Sequence, residues 1–244
     1  MTHFDDCSGI GGFALAAQMV GGVHTRWARE IDPYARSVYA KHFPHVELFA
    51  DVRDPLPEGL AGAAELYTCG FPCQPVSVAG RRKAQADDRW LWPHIATTLR
   101  HLQPRRVLLE NVPGILAREP FAEVLASLAV LGYDATWDCL PASAVGAPQR
   151  GDRVWIVAAP YGARLEGIFE GRLPEKPTFG TPCLRGALQW PPEPPLRRVD
   201  HGATCRLGCL RRQLQSLGNA IVPQLAVWIM QQIIIADASM EPPR

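Results

Sequence analysis

The chain has 244 residues, of which 47% are hydrophobic and 20% are charged. That length and composition suit one α/β domain with at most a small appendage, and they exclude a disordered chain or a surface-charged coiled coil. The formal net charge of +1 excludes a whole-molecule attraction to nucleic acid or acidic membranes, so any basic binding surface has to be local.

The N-terminus and the cysteines indicate a reducing compartment. The first residues show no cationic start followed by an apolar run, and no continuous stretch reaches the ~18 apolar residues that a membrane span needs. The seven cysteines are irregularly spaced, which favours free thiols over a disulfide framework. We therefore expect a cytoplasmic protein with no membrane partner.

Short apolar runs alternate with amphipathic stretches up to about residue 159, which is typical of a mostly parallel sheet covered by helices. After a short first strand that precedes Cys7, the predicted strands span residues 23–29, 47–50, 64–69, 105–111, 133–140 and 154–158. Helical periodicity covers residues 12–19, 33–42, 90–101 and 121–131. The sequence thus predicts an α/β fold whose last two strands are joined by the loop 141–153.

The last third of the chain has a different character. Residues 160–195 contain eight prolines and almost no periodicity, which predicts a loop-rich insert. Residues 197–212 carry five arginines and one acid, and residues 223–236 are apolar on most faces, as in a buried closing helix. We expect a main domain at 1–159, a short Pro-rich segment at 160–212 and a segment at 213–244 that returns to the main domain.

A glycine-rich turn connects the first strand to the first helix. It runs from Cys7 to Phe13 and has glycines at positions 9, 11 and 12, where the backbone can approach a ligand at a helix N-terminus. Tight packing is the alternative explanation for such a turn. Glu30 ends the next strand at the spacing of an acid that binds ribose hydroxyls, and Asp51 ends the third strand. These two carboxylates favour a nucleoside cofactor over packing.

Three further motifs stand at strand ends. Cys73 lies in the turn 70–75 after the fourth strand, a position that suits a nucleophile, although a semi-buried structural cysteine is the alternative. Glu110 ends the fifth strand and is either a site acid or a paired structural acid. Residues 149–153 precede the last strand, where a solvated charge cluster is the alternative.

Taken together and in this order, the motifs resemble those of the cytosine-5 DNA methyltransferase family. They are Ser8-Gly9-Ile10-Gly11-Gly12-Phe13, Pro72-Cys73-Gln74, Glu110-Asn111-Val112, Gln149-Arg150-Gly151-Asp152-Arg153 and Leu217-Gly218-Asn219-Ala220-Ile221-Val222-Pro223. The resemblance covers about residues 4–159 and 213–236. It implies a Rossmann-like class I methyltransferase sheet with helices on both faces, and S-adenosylmethionine as the cofactor.

The resemblance also implies a role for each reacting residue. Cys73 would add as a thiolate to C6 of a flipped-out cytosine, because C5 is a poor nucleophile until that addition pushes electron density onto it. Glu110 and Arg153 would stabilise the negative charge that develops on N3 and O2 of the ring. C5 would then take the methyl group, and loss of the C5 proton with elimination of Cys73 would restore the ring.

Binding residues follow from the same resemblance. Glu30 would bind the cofactor ribose and Asp51 the adenine amino group, while Gly9, Gly11 and Asn219 would approach the methionine end. The expected cofactor residues are Ser8, Gly9, Ile10, Gly11, Gly12, Phe13, Glu30, Ile31, Asp51, Val52, Asn219 and Ala220. The expected DNA-binding residues are Gln74, Ser77, Arg89, Gln149, Arg211 and Arg212, for which loop hydrogen bonds or a solvated surface are the alternative.

The sequence departs from the family at the cofactor turn and in length. Asp6 and Cys7 stand where the family usually has an apolar and an aromatic residue, which bears on cofactor affinity. The interval 160–212, which holds the DNA-reading domain in the family, is unusually short. Cys183, His201, Cys205 and Cys209 lie in it and have the side chains of zinc ligands. Their irregular spacing favours free thiols, so we expect no metal.

The leading hypothesis is a monomeric, bacterial or phage-encoded enzyme that methylates C5 of cytosine in a short duplex DNA sequence, alone or beside a cognate restriction enzyme. One alternative keeps the chemistry and moves it to RNA. Another is a DNA-binding relative that has lost catalysis through the changes at Asp6 and Cys7. A dinucleotide oxidoreductase would leave Cys73, Glu110 and Arg153 without a joint role.

Overall fold

A seven-stranded sheet organises the protein. The computed structural model describes residues 1–72, 90–147, 150–171 and 216–239, and every structural statement below concerns those residues. The strands are β1 (Thr2–Asp6), β2 (His24–Arg29), β3 (Glu47–Phe49), β4 (Leu66–Gly70), β5 (Arg106–Asn111), β6 (Tyr133–Leu140) and β7 (Arg153–Pro160). The helices are α1 (Gly12–Val20), α2 (Pro33–His42), α3 (Trp92–Leu102), α4 (Arg118–Val130) and α5 (Pro223–Ala238).

The strand order across the sheet is β3-β2-β1-β4-β5-β7-β6. Strands β1 to β5 run parallel to one another, and β7 runs antiparallel to both β5 and β6. The chain builds outward from β1 to β3 and then returns to place β4 beside β1. This reversal is a topological switch point, at which the connecting loops part and leave a crevice at the carboxyl ends of the strands.

The predicted helices and strands are all found in the described residues, with ends displaced by at most three residues. Helix α2 begins where expected, because the Asp32 carboxylate accepts a hydrogen bond from the Ala35 backbone N–H at 2.8 Å and Pro33 occupies the first turn. Helix α4 begins earlier than predicted. Pro120 lies in its first turn, where the backbone N–H groups have no partner in the helix.

Helices cover both faces of the sheet. On one face α3 and α4 pack against strand residues that include Val107 and Leu109, and on the other α1 and α5 pack against residues that include Leu108 and Trp155. Strand β5 is therefore apolar on both sides, as a central strand of a covered sheet has to be. The prediction of a mostly parallel α/β sheet with helices on both faces is confirmed.

The returning C-terminal segment is part of the core. Within the described residues, Ser216–Ala238 is the one segment long and apolar enough to cross a membrane by length and composition. Its apolar side chains, among them Leu225, Ile229 and Ile233, are buried against α1 and the sheet. Burial in the core therefore accounts for its apolar character.

The predicted Pro-rich segment 160–212 lies mostly outside the described residues. Its first part, up to residue 171, forms turns after β7, and Ile168 packs into the core beside α5. The basic stretch 197–212 is outside the described ranges, so the predicted division at 159 and 212 stays a prediction.

Candidate active site

The carboxyl ends of β1 to β5 open onto a cleft of about 580 Å³. The cleft lies at the switch point between β1 and β4, and residues 216, 218 and 219 close it from the C-terminal segment. Parallel strands bring their carboxyl ends to one edge of the sheet, so residues far apart in sequence meet here.

The turn after β1 has the backbone that its glycines permit. Gly9 and Gly11 have φ of +56° and +95°, in the left-handed region. A Cβ on Gly11 would lie 2.6 Å from Cε2 of Phe43, and one on Gly12 would lie 2.5 Å from Cγ1 of Ile221. A Cβ on Gly9, by contrast, would meet no protein atom within 4 Å. Gly11 and Gly12 are therefore glycines for packing, and Gly9 faces open space at the edge of the cleft.

Two carboxylates enter the cleft from β2 and β3. Glu30 accepts backbone hydrogen bonds from Gly9 at 2.6 Å and from Asp32 at 2.8 Å, and burial raises its pKa despite these bonds. Asp51 is paired with the Arg53 guanidinium, whose Nη2 lies 2.5 Å from its Oδ2, and the hydrogen bonds from Arg53 lower its pKa. A carboxylate has about four acceptor positions. Glu30 uses two of them and keeps two for a ligand, whereas Asp51 already accepts four hydrogen bonds from Arg53, so a ligand at Asp51 has to replace one of these.

A buried ion pair underlies this part of the cleft. The Arg29 side chain is 2% exposed and that of Asp6 is fully buried, and their closest N–O distance is 2.5 Å. Tyr67 donates its hydroxyl to Asp6 at 2.6 Å. Cys7, which follows Asp6 in the sequence, has a φ of +48°. Its side chain packs against the core, and the residue also lines the cleft.

The far side of the cleft holds a second carboxylate and cation pair. Nε of Arg153, at the start of β7, lies 2.9 Å from Oε1 of Glu110, at the end of β5. Burial raises the pKa of Glu110 to about 7, against the lowering effect of Arg153. Glu110 can therefore either hold or release a proton near neutral pH, which suits an acid–base group.

The turn that carries Cys73 begins next to this pair. Gly70 is the register partner of Glu110, and a Cβ on Gly70 would lie 3.5 Å from Glu110 Oε2. The Asn111 amide donates a hydrogen bond to the Phe71 carbonyl at 2.9 Å. The end of β4 is thus fixed against the end of β5. Cys73 itself lies outside the described residues, one position beyond Pro72, which lines the cleft.

The predicted cofactor residues divide into two groups. The cleft is lined by Gly9, Glu30, Ile31, Asp51, Val52 and Asn219, while Ser8, Ile10, Gly11, Gly12, Phe13 and Ala220 are not among its lining residues. The Phe13 ring is buried in the core against the edge of Trp155, and the Ser8 hydroxyl is buried without a hydrogen-bond partner. In the turn from Ser8 to Phe13, close packing against the protein, rather than contact with a ligand, therefore explains several of the motif residues.

Other predicted residues fall outside the described ranges. They are Cys73, Gln74, Ser77, Arg89, Gln149, Arg211 and Arg212, together with the zinc candidates Cys183, His201, Cys205 and Cys209. In the part of the chain that is described, no group of three or more His, Cys, Asp or Glu side chains could hold a metal ion.

Sequence reasoning assigned no site role to several residues that line the cleft, of which Arg29, Asp32 and Asn111 have the clearest contacts. Arg29 and Asn111 stand at the last position of a parallel strand. That position next to the crevice was the signal that could have found them.

The strand order β3-β2-β1-β4-β5-β7-β6, with β7 antiparallel, and the cleft at the carboxyl ends of the parallel strands define the fold of a class I methyltransferase. Among solved structures, a prophage-encoded Escherichia coli protein assigned as a DNA modification methyltransferase matches with a TM-score of 0.56 and 28% identity, over 66% of this chain and 47% of that one. The Dnmt2 methyltransferase of Schizosaccharomyces pombe shares the fold at a TM-score of 0.59 and 22% identity, over 70% of this chain and 55% of that one.

The sequence comparison is more specific. The profile of the C-5 cytosine-specific DNA methylase family matches residues 1–186, and the chain belongs to this family. The type II methyltransferase M.NgoBI of Neisseria gonorrhoeae is 35% identical over 62% of this chain and 48% of its own. M.AluI of Cellulosimicrobium cellulans is 31% identical over 72% and 36%. The chain spans about half, or less, of the length of these curated relatives.

Proposed function

We propose that the protein transfers a methyl group from S-adenosylmethionine to C5 of cytosine in duplex DNA. The observation that carries the proposal is the pair of buried Glu110 and half-buried Arg153 at the end of β5, fixed beside the strand end from which the Cys73 turn departs. Family membership and the type II methyltransferase relatives support the same activity.

The cleft suits S-adenosylmethionine, the methyl donor of this family. Gly9 lines the cleft and opens onto space that a Cβ would fill. Glu30 offers free acceptor positions for ribose hydroxyls, and Asp51 can accept from the adenine amino group in exchange for one of its hydrogen bonds from Arg53 Nε, which contacts both carboxylate oxygens. When bound, the cofactor supplies an electrophilic methyl group.

Cys73 provides the nucleophile in this proposal. Its thiolate adds to C6 of the flipped-out cytosine, and the electron pair of the C5–C6 double bond moves toward C5, N3 and O2. C5 forms a bond to the methyl carbon, whose bond to sulfur breaks. A base then removes the C5 proton, and the electron pair expels the Cys73 thiolate and restores the double bond.

Glu110 and Arg153 act on the charge that the addition creates. A protonated Glu110 donates a hydrogen bond to N3 while Arg153 donates one to O2. Both hydrogen bonds are strongest when water is excluded. A carboxyl with a pKa of about 7 holds its proton in a large fraction of molecules at neutral pH. This is the property that an acid partner for N3 requires.

The substrate follows from the chemistry and from the relatives. A stacked cytosine is out of reach, so the base has to leave the duplex at a cost of a few kcal/mol. We expect duplex DNA with a short target, read through the predicted contacts at Gln74, Ser77, Arg89, Gln149, Arg211 and Arg212. A cognate restriction enzyme, a monomeric state and a bacterial cytoplasmic setting are parts of the same proposal.

Covalent trapping tests the assignment of Cys73. A long PCR duplex made with 5-fluorocytosine contains every short target, and fluorine at C5 blocks the final proton loss. With S-adenosylmethionine the full chain should form an adduct that survives denaturing electrophoresis. Cys73→Ser should form none, whereas Cys139→Ser, which changes an exposed thiol on β6, should behave like the wild type.

The same assay separates the competing functions. An adduct on 5-fluorocytosine RNA alone would move the activity to RNA. DNA binding with neither an adduct nor measurable S-adenosylmethionine binding would support a relative that has lost catalysis, whereas measurable S-adenosylmethionine binding would exclude it. An adduct of equal yield in Cys73→Ser would refute the assigned nucleophile.

A further inference from the structure

The Asp6–Arg29 pair uses the whole hydrogen-bonding capacity of a guanidinium. Nε and Nη2 of Arg29 donate to the two carboxylate oxygens of Asp6 at 3.0 and 2.5 Å. The second Nη2 proton goes to the Thr98 hydroxyl at 2.6 Å. The Nη1 protons go to the carbonyls of Val52 at 3.4 Å and Asp54 at 3.3 Å. All five N–H groups therefore have acceptors.

Those two carbonyls belong to a turn on the cleft. The turn spans residues 51–54 and is closed by a hydrogen bond from the Asp54 N–H to the Asp51 carbonyl at 3.1 Å. Asp51, Val52 and Arg53 line the cleft. Any displacement of the 51–54 turn would move the Asp51 carboxylate relative to a bound ligand.

The strand before this turn anchors it weakly. β3 has three residues and stands at the edge of the sheet, paired only with β2. Arg29 is the last residue of β2 and reaches from that strand to β1 through Asp6, to α3 through Thr98 and to the turn itself. Its contacts tie the turn to three elements nearer the centre of the fold.

Stability alone does not account for such a pair. Moving two charges from water into the core costs several kcal/mol per ion, and apolar residues of similar volume are often as stabilising or more so. The contacts that an apolar pair would lack are the directional ones to the carbonyls of the turn.

We propose that Arg29, held by Asp6, is a positioning residue that fixes the 51–54 turn and so sets the place of the Asp51 carboxylate for the adenine of the cofactor. The assignment rests on the proposed function, because it takes the adenine to lie against Asp51. Arg29 acts through the turn and makes no contact with the reacting atoms.

A double-mutant cycle in the full chain tests the coupling. S-adenosylmethionine affinity is measured by calorimetry for the wild type, Asp51→Ala, Asp6→Leu/Arg29→Met and the combination of all three. Asp51→Ala should weaken binding about tenfold in the wild type. In the Asp6→Leu/Arg29→Met background, which itself binds about tenfold more weakly, the same change should cost less than about twofold.

A matched pair far from the cleft provides the control. Arg106→Met/Asp237→Leu removes another ion pair, between buried Arg106 on β5 and half-buried Asp237 on α5. This control variant should bind S-adenosylmethionine within about twofold of the wild-type affinity. Adding Asp51→Ala to it should weaken binding by the same factor of about ten as in the wild type. Urea unfolding should show the Asp6→Leu/Arg29→Met protein folded, with a midpoint equal to or above that of the wild type.

Arg29→Lys provides an independent test in case the Asp6→Leu/Arg29→Met protein does not fold. Lysine keeps the charge beside Asp6 but is a point charge without the planar fork that reaches both carbonyls. In the Arg29→Lys background, Asp51→Ala should also weaken S-adenosylmethionine binding by less than it does in the wild type. A full Asp51→Ala effect in the variants would overturn the positioning role and leave the proposed function intact. A wild type that binds no S-adenosylmethionine would overturn both.

Discussion

Comparing Gly9 with Gly62 separates two effects of a substitution: backbone strain and interference with a bound ligand. Both have a left-handed backbone, with φ of +56° and +68°, and at both a Cβ would meet no protein atom within 4 Å. Gly9 lines the cleft, whereas Gly62 lies in a turn outside it.

Gly9→Ala is therefore expected to weaken cofactor binding beyond its effect on stability. Both alanine variants should lose about 1 kcal/mol of unfolding free energy, because an L side chain is strained at positive φ. Only Gly9→Ala should also raise the S-adenosylmethionine Kd, by about tenfold, since its methyl group enters the ligand's space. Urea unfolding and calorimetry measure the two effects, and equal cofactor affinity in both variants would contradict the placement of the ligand.

Glu110 makes stability depend on pH in a direction set by burial. Its pKa is about 7 in the folded protein against an ordinary 4.5, so the unfolded chain releases this proton first as pH rises. The stabilising effect of the protonated carboxyl is present below about pH 4.5 and is lost progressively as pH rises through 7.

Glu110→Gln isolates this effect, because glutamine does not titrate. Between about pH 5 and pH 8 the wild type should lose about 2 to 3 kcal/mol of unfolding free energy relative to the variant. Other titrating groups such as the buried His3 are the same in both proteins and cancel. Urea unfolding across that range measures the difference, and a constant offset would show that Glu110 does not have a raised pKa.

At the scale of elements, one buried contact fixes the returning helix α5. Arg106, 2% exposed at the start of β5, donates to Asp237 near the end of α5 at 2.8 and 2.5 Å, and to the Arg164 carbonyl at 3.0 Å. The other end of the same segment brings residues 216–219 to the cleft. The C-terminal segment therefore contributes to the core at one end and to the cleft at the other.

Asp237→Leu alone is expected to destabilise the protein by about 3 to 5 kcal/mol, because it leaves the Arg106 charge buried without its partner. Arg106→Met/Asp237→Leu should recover most of that loss, since the two apolar side chains extend the surrounding core. Urea unfolding measures both. Equal losses in the single and double variants would mean that the residues contribute separately rather than as a pair.

The elements themselves could be predicted because their residues have strong local signals. Strand β5 contains the apolar run from Val107 to Leu109, and α2 has both an N-cap and a proline in its first turn. The insertion of β7 between β5 and β6 depends on pairing between distant segments, which no local pattern encodes. A joint role for Glu110 and Arg153 was expected from the family resemblance, although their ion pair was not predicted. The five hydrogen bonds of Arg29 depend on three other elements meeting around one side chain.

At the scale of the whole molecule, the structure describes one of the two predicted binding regions. The Glu110–Arg153 pair and the cleft lie in the described residues, and the basic stretch 197–212 expected to contact DNA lies outside them. A short segment can hold few side chains at groove depth, so a target of about two to four base pairs is expected.

Base-resolution sequencing for 5-methylcytosine tests the central claim most directly. The full chain and Cys73→Ser are expressed in cells without a cytosine-5 methylase of their own, and both plasmid DNA and cellular RNA are sequenced. Wild type should mark cytosine in one short, recurring DNA context, Cys73→Ser should mark none, and RNA should match the vector control. Unmarked DNA, a mark confined to RNA, or a DNA mark that persists in Cys73→Ser would contradict the account.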